Sequence, residues 1–116
     1  MACAITIRKA HGALVVDLSG RLTLGDSTLD LRDSVRQSLE AGHRAFVLNL
    51  AAVSYMDSAG LGQVVSTYTS VRKKGGHVVL LSPTERTEHL LQIAGLVTVF
   101  DTYDDEARAV AALSEA

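Results

Sequence analysis

The chain is predicted to fold as an α/β protein, with a mixed, largely parallel sheet of four to five strands packed with about four helices. Three observations carry this expectation. The apolar runs Ala45-Phe46-Val47-Leu48-Asn49-Leu50 and Val78-Val79-Leu80-Leu81 have the length and continuity of strands buried on both faces. Longer segments with apolar residues at three-to-four spacing alternate with them. Glycine- or proline-bearing breaks separate strand from helix. Alternation of this kind demands crossover connections, which make the joined strands parallel.

Each element follows in order. Ile5 and Ile7 alternate with polar residues, as do Leu14, Val16 and Leu18, and Ala10-His11-Gly12 lies between the two runs. This predicts a half-buried hairpin. Gly20-Arg21-Leu22-Thr23 leads into a first helix with Asp26 or Ser27 as cap. Leu31, Val35 and Leu39 share one face of it, and Gly42 ends it. The strand at 45–50 comes next. A second helix carries Leu61, Val64, Val65, Tyr68 and Val71 at helical spacing, has Arg72-Lys73-Lys74 in its last turn, and stops at Gly75-Gly76. After the strand at 78–81, Ser82-Pro83-Thr84-Glu85 reads as a capping box with proline at the first helical position. The third helix runs through Leu90, Leu91 and Ile93 to Gly95. Val97-Thr98-Val99-Phe100 reads as a short last strand. Residues 102–105 are expected to cap a final helix ending near Leu113.

Composition narrows the function. The chain has 116 residues, 47% of them hydrophobic, enough for one core. A formal net charge of -2 argues against a nucleic-acid binder, which would show a basic face, and against a membrane-surface protein. No apolar stretch approaches the ~18 residues that span a bilayer. Met1-Ala2-Cys3-Ala4-Ile5-Thr6 lacks the charged leader and apolar run of a secretory signal. Cys3 is the only cysteine, so no internal disulfide forms, which suits a reducing cytoplasm.

The most informative stretch is Tyr55-Met56-Asp57-Ser58-Ala59-Gly60-Leu61-Gly62. It joins a buried strand to a helix, so Ser58 falls at a helix N-terminus behind an acidic residue suited to cap it. Backbone N–H groups and the helix dipole converge there, and an anionic group such as a phosphate is tolerated. Gly60 and Gly62 have two readings, close approach of a partner or tight packing of helix on strand. Strand C-terminal ends and helix N-termini meet at this corner. A partner is therefore expected to dock on Tyr55, Met56, the start of the second helix and the Thr23–Asp26 loop.

Enzymatic readings fail on the residues. A nucleophile elbow needs Gly-x-Ser-x-Gly, and Met56 occupies the first glycine position. A receiver domain with Asp57 as phosphoacceptor needs an acidic pair after the first strand, and Ile5-Thr6-Ile7-Arg8-Lys9 offers none. His11, His43, His77 and His89 show no metal-ligand spacing. No catalytic residue, metal or cofactor is expected.

The chain resembles the STAS domain, and more narrowly the stand-alone anti-sigma factor antagonists of bacteria. Val47-Leu48-Asn49-Leu50 followed by Val53-Ser54-Tyr55-Met56-Asp57-Ser58-Ala59-Gly60-Leu61-Gly62 carries most of the resemblance. Leu18-Ser19-Gly20-Arg21-Leu22, Gly75-Gly76-His77 and Leu91-Gln92-Ile93-Ala94-Gly95-Leu96 support it. The resemblance implies one STAS-like domain over residues 1–116. It implies phosphorylation of Ser58 by a partner that is both anti-sigma factor and serine kinase, and resetting by a serine phosphatase. The expected docking residues are Thr23, Asp26, Tyr55, Met56, Asp57, Ala59, Gly60, Leu61 and Gln63. Many family members carry a second hydroxyl where this chain has Ala59, and many have aspartate where Thr23 stands. The protein is expected to be cytoplasmic and a monomer or weak dimer. An alternative of a different class is a non-switching STAS scaffold, or a soluble subunit of a signalling assembly or lipid transporter. A phosphorylatable serine in an intact motif favours the switch.

Overall fold

The hairpin is the element most directly dictated by local sequence. Strand β1 (Ala4–Ala10) pairs antiparallel with β2 (Ala13–Leu22), from Ala4 opposite Ser19 to Ala10 opposite Ala13. His11 and Gly12 both take positive φ, 49° and 88°, as a two-residue turn matching the twist of the strands requires. The computed structural model describes residues 3–114; Met1 and Ala2, at the start of the segment read as lacking a secretory leader, lie outside them.

Helix α1 (Asp26–Glu40), strand β3 (Ala45–Met56), helix α2 (Ser58–Lys73), strand β4 (His77–Leu81), helix α3 (Glu85–Ile93), strand β5 (Thr102–Tyr103) and helix α4 (Glu106–Ser114) follow. The sheet order is β1-β2-β3-β4-β5, and every pair after the hairpin is parallel. The mixed, largely parallel sheet with four helices is thus as expected.

Alternation along the strands divides the apolar side chains between two faces. Leu14, Val16, Leu18, Phe46, Leu48 and Leu50 point one way. They pack with Leu31, Val35 and Leu39 of α1, Val64 and Val71 of α2, and Leu91 of α3. Val15, Val47, Val79 and Leu81 point the other way and are covered by Ala109, Val110 and Leu113 of α4. A polar network also spans that second face. Arg8 donates to Asp17 (2.6 Å) and to Glu106 of α4 (2.9 Å), and Asn49 donates to Asp17 (2.7 Å). The Arg8 guanidinium holds the Asp17 and Glu106 carboxyls below their usual range.

Four local expectations are corrected. Gly25, not Asp26 or Ser27, is the N-cap of α1, with φ 123°, where a side chain would be strained. Asp26 is the first helical residue, and Ser27 folds back to hydrogen-bond the Thr23 backbone at its N–H (3.1 Å) and its carbonyl (2.8 Å). Pro83 precedes the third helix. Thr84 caps it by accepting from the Thr87 N–H at 3.2 Å, so Glu85 is the first helical residue and no Ser82–Glu85 box forms. Strand β3 runs on to Met56 because β2 supplies partners beyond Leu50, through two register shifts around Ser19 and Gly20. Residues 97–100 are turn, not strand. The Val99 N–H bonds to the Leu96 carbonyl, Val97 and Val99 face solvent, and Phe100 turns inward edge-on to Tyr68, with ring centroids 5.2 Å apart. The last strand forms instead where Thr102 and Tyr103 meet Leu80 and Leu81.

Candidate functional site

Two chain reversals meet at one corner. β2 and β3 end side by side, with Leu22 opposite Met56, and α1 and α2 start within a few residues of those ends. Asp57 joins the two reversals. It is the N-cap of α2 in extended conformation, and its Oδ1 accepts from the Gly60 N–H at 2.8 Å. Its Oδ2 accepts from the Leu24 N–H at 3.1 Å, across the gap to the β2–α1 loop. Its own N–H reaches the Leu22 carbonyl at 3.4 Å. The Gly60 N–H above all, then that of Leu24, pulls the Asp57 carboxyl below the usual carboxylate range. One carboxylate therefore starts a helix and pins a loop.

Ser58 is the first residue of α2 and is exposed, while Ala59 is half-buried behind it. The Ser58 hydroxyl thus stands at the positive end of a helix of 16 residues. The two glycines that follow differ. A Cβ on Gly60 would lie 2.1 Å from the Leu22 carbonyl oxygen and 2.9 Å from Met56 Cγ, whereas one on Gly62 would meet nothing within 4 Å. Gly60 is there because the first turn of α2 rests on the backbone of β2.

The residues expected to face a partner separate into two layers. Thr23, Asp26, Tyr55, Asp57, Ala59 and Gln63 are exposed or half-buried around Ser58. Met56, Gly60 and Leu61 are buried, Met56 and Leu61 within the main core, so they shape the corner from beneath and offer no outward contact. One surface residue of the expected Thr23–Asp26 loop, Leu24, and two residues outside the expected surface, Arg21 and Arg86, also stand here. Leu24 is 80% exposed, beside the Asp57 carboxylate that holds its N–H. Arg21 and Arg86 stack on Tyr55, at 4.7 and 5.7 Å from the ring centroid. Arg21 could have been found from strand alternation. Arg86 approaches from α3, and no local pattern announces it.

Among the described residues no group of three or more His, Cys, Asp or Glu is gathered to hold a metal ion, and no helix is long and apolar enough to cross a membrane. The fold is a three-layered α/β frame that presents an exposed serine at a helix start pinned by Asp57. The chain belongs to the STAS domain family, which matches residues 4–109. It is 31% identical to the anti-sigma F factor antagonist of Paenibacillus polymyxa, over 94% of this chain and 93% of that one. It is also 31% identical to the anti-sigma-B factor antagonist of Bacillus subtilis, over 84% of this chain and 87% of that one. The crystal structure of an anti-sigma factor antagonist from Mycobacterium paratuberculosis superposes with a TM-score of 0.82 at 23% identity, covering 97% of this chain and 95% of that one. The relatives are named for a binding role, and this protein is likewise a regulatory binding protein and not an enzyme.

Proposed function

We propose that the protein is a cytoplasmic anti-sigma factor antagonist that works by partner switching. Unphosphorylated, it binds an anti-sigma factor and so frees a sigma factor. Phosphorylated on Ser58 by that same partner, acting as a serine kinase, it lets go, and a serine phosphatase resets it. The docking surface is Thr23, Leu24, Asp26, Tyr55, Asp57, Ala59 and Gln63 around Ser58. The observation that carries the reading is an exposed Ser58 hydroxyl at the start of α2, on a corner braced by Asp57.

Magnitudes favour a switch at the interface over one in the fold. A phosphate at a helix N-terminus changes fold stability by only about 0.3–2 kcal/mol, and favourably. The same charge of about -1.5 to -2, pressed into a docked surface, brings desolvation and repulsion. A cost of ~3 kcal/mol there weakens binding roughly a hundredfold.

Three proteins test this: wild type, Ser58→Ala and Ser58→Asp, each titrated calorimetrically against the anti-sigma factor and checked by circular dichroism. Ser58→Ala should bind and resist the kinase. Ser58→Asp should stay folded and bind far more weakly. A folded Ser58→Asp protein that binds as tightly as Ser58→Ala, or phosphate mapped to Thr23, Ser54 or Ser66 with none on Ser58, would replace the switch with a non-switching scaffold.

A further inference from the structure

Beside the Ser58 corner, three residues from three elements form one cationic platform. Arg21 lies near the end of β2, in register with Tyr55 of β3. Arg86 is in the first turn of α3. Their guanidinium carbons stand over the Tyr55 ring, 4.7 and 5.7 Å from its centroid. Tyr55 is half-buried and both arginines are exposed. The face of the ring attracts each cation, and a guanidinium held in this way keeps N–H donors for another partner.

The chain itself supplies no anion to either cation. Among the described residues neither Arg21 nor Arg86 has an ion pair. Glu85 and Glu88 lie within two positions of Arg86 on α3, and helix residues one or two apart do not face each other. Asp57, close to Tyr55 in the chain, commits its carboxylate to the N–H groups of Gly60 and Leu24. Arg86 also opposes its own helix, because a cation in the first turn meets the positive end of the dipole. The stability of α3 therefore does not account for a cation at that position.

Charge and area select the partner. The whole chain carries a net charge of -2, so the platform is a local reversal of sign. A stable interface uses roughly 20–30 residues and about 800 Å² on each side. The residues immediately around Ser58 are too few for that, and Arg21 and Arg86 extend the surface from the corner to the start of α3. Tyrosine and arginine are also the residue types that dominate interface energies. Tyr55 already orders both arginines, so less freedom is lost when a partner docks.

We propose that the Arg21–Tyr55–Arg86 platform is a second anchor of the docking surface and receives an acidic side chain, aspartate or glutamate, of the anti-sigma factor. The inference rests on the partner-switching reading and names a contact for that partner. The carboxylate accepts hydrogen bonds from the guanidinium N–H groups, a charge-assisted contact with a planar fit.

The test is calorimetric titration of the full chain with the purified cognate anti-sigma factor at physiological ionic strength, beside the Ser58→Ala and Ser58→Asp proteins. Arg21→Glu/Arg86→Glu should keep its circular dichroism spectrum and bind at least about tenfold more weakly, because like charges then face each other. Arg21→Gln/Arg86→Gln should also bind more weakly, by a smaller factor, and it carries the test if the glutamate variant does not fold. Lys73→Glu/Lys74→Glu, an equal charge change at the far end of α2, should bind as wild type does, since charges that distant are screened. Replacing the partner's surface aspartates and glutamates by arginine, one at a time, should find a position that weakens binding to wild type and restores binding to the double glutamate variant. Undiminished binding by the folded arginine variants, an equal loss in the lysine variant, or the lack of any restoring position overturns this inference and leaves the Ser58 switch standing. If wild type and Ser58→Ala both fail to bind, the switch reading falls and this contact falls with it. If Ser58→Asp binds as tightly as Ser58→Ala, the switch alone falls, and the arginine series still decides the contact.

Discussion

Gly60→Ala and Gly62→Ala are the same chemical change two residues apart on α2, and they should have opposite signs. Alanine in a helix is favoured over glycine by about 0.5–1 kcal/mol. At Gly62 nothing lies within 4 Å of the new methyl, so that gain should appear nearly whole. At Gly60 the methyl would stand 2.1 Å from the Leu22 carbonyl oxygen. An ordinary C···O contact is roughly 3.3 Å, so the first turn of α2 must retreat by roughly 1.2 Å. That movement pulls on two hydrogen bonds that tie the corner together, Asp57 N–H to Leu22 (3.4 Å) and Leu24 N–H to Asp57 (3.1 Å). At about 1 kcal/mol each, plus about 1–3 kcal/mol for overpacking and less the helical gain, the net loss is roughly 2–4.5 kcal/mol. With about 4 °C of melting temperature per kcal/mol, a drop near 10 °C is expected for Gly60→Ala and a small rise for Gly62→Ala. Urea unfolding followed by far-UV circular dichroism gives both free energies. A Gly60→Ala protein as stable as wild type, or a larger loss in Gly62→Ala, would refute the close approach of α2 to β2.

Two further outcomes follow from the polar contacts. The Asp57 carboxyl is held below its ordinary range in the folded state, so the stability it contributes is complete above the unfolded carboxylate range, near pH 4, and is lost as pH falls through the folded value. Asp57→Asn keeps a capping oxygen and should flatten part of that acid limb, whereas Asp57→Ala should cost about 1–2 kcal/mol at neutral pH; equal acid slopes in wild type and Asp57→Asn would count against the reading. Arg8→Ala removes the contacts to Asp17 and Glu106, and since both pairs are well exposed the loss should be about 1 kcal/mol or less and shrink with added salt, as urea titrations at low and high ionic strength would show.

Much of the sheet and the helical faces was legible because their signals are local. Leu31, Val35 and Leu39 lie at helical spacing and all end in the core. The strands at 45 and 78 announce themselves by unbroken apolar runs. Val97-Thr98-Val99-Phe100 misled because β propensity reports the comfort of a side chain on a pleated surface, while strand formation needs a neighbour with free backbone groups. Leu80 and Leu81 were instead met by Thr102 and Tyr103. The helix-start readings failed through competition. Ser27 had a nearer use, in the Thr23 loop, than the end of its own helix. At the corner, the cap by Asp57 was visible in the sequence, but its second bond to Leu24 spans 33 positions. The division of the motif into an exposed and a buried layer likewise depends on how β2 lies beneath α2. Arg8 and Glu106, 98 positions apart, carry no pattern that points to each other.

The sheet narrows toward the Ser58 corner. Among the described residues β1 pairs with β2 only as far as Ser19, and β4 pairs with β3 only as far as Asn49, so Arg21-Leu22 and Tyr55-Met56 continue there as a two-stranded ribbon. On its outer edges no ladder among the described residues holds the backbone. The stacking of Arg21 and Arg86 on Tyr55 and the Asp57 bonds take the place of missing strands. Hydrogen exchange at this end is therefore expected to follow these few side-chain contacts before it follows global unfolding of the sheet. Exchange of these amides by local opening, without global unfolding, is the expected outcome of a native-state hydrogen-exchange measurement, and a molecule that covers the corner should protect them first.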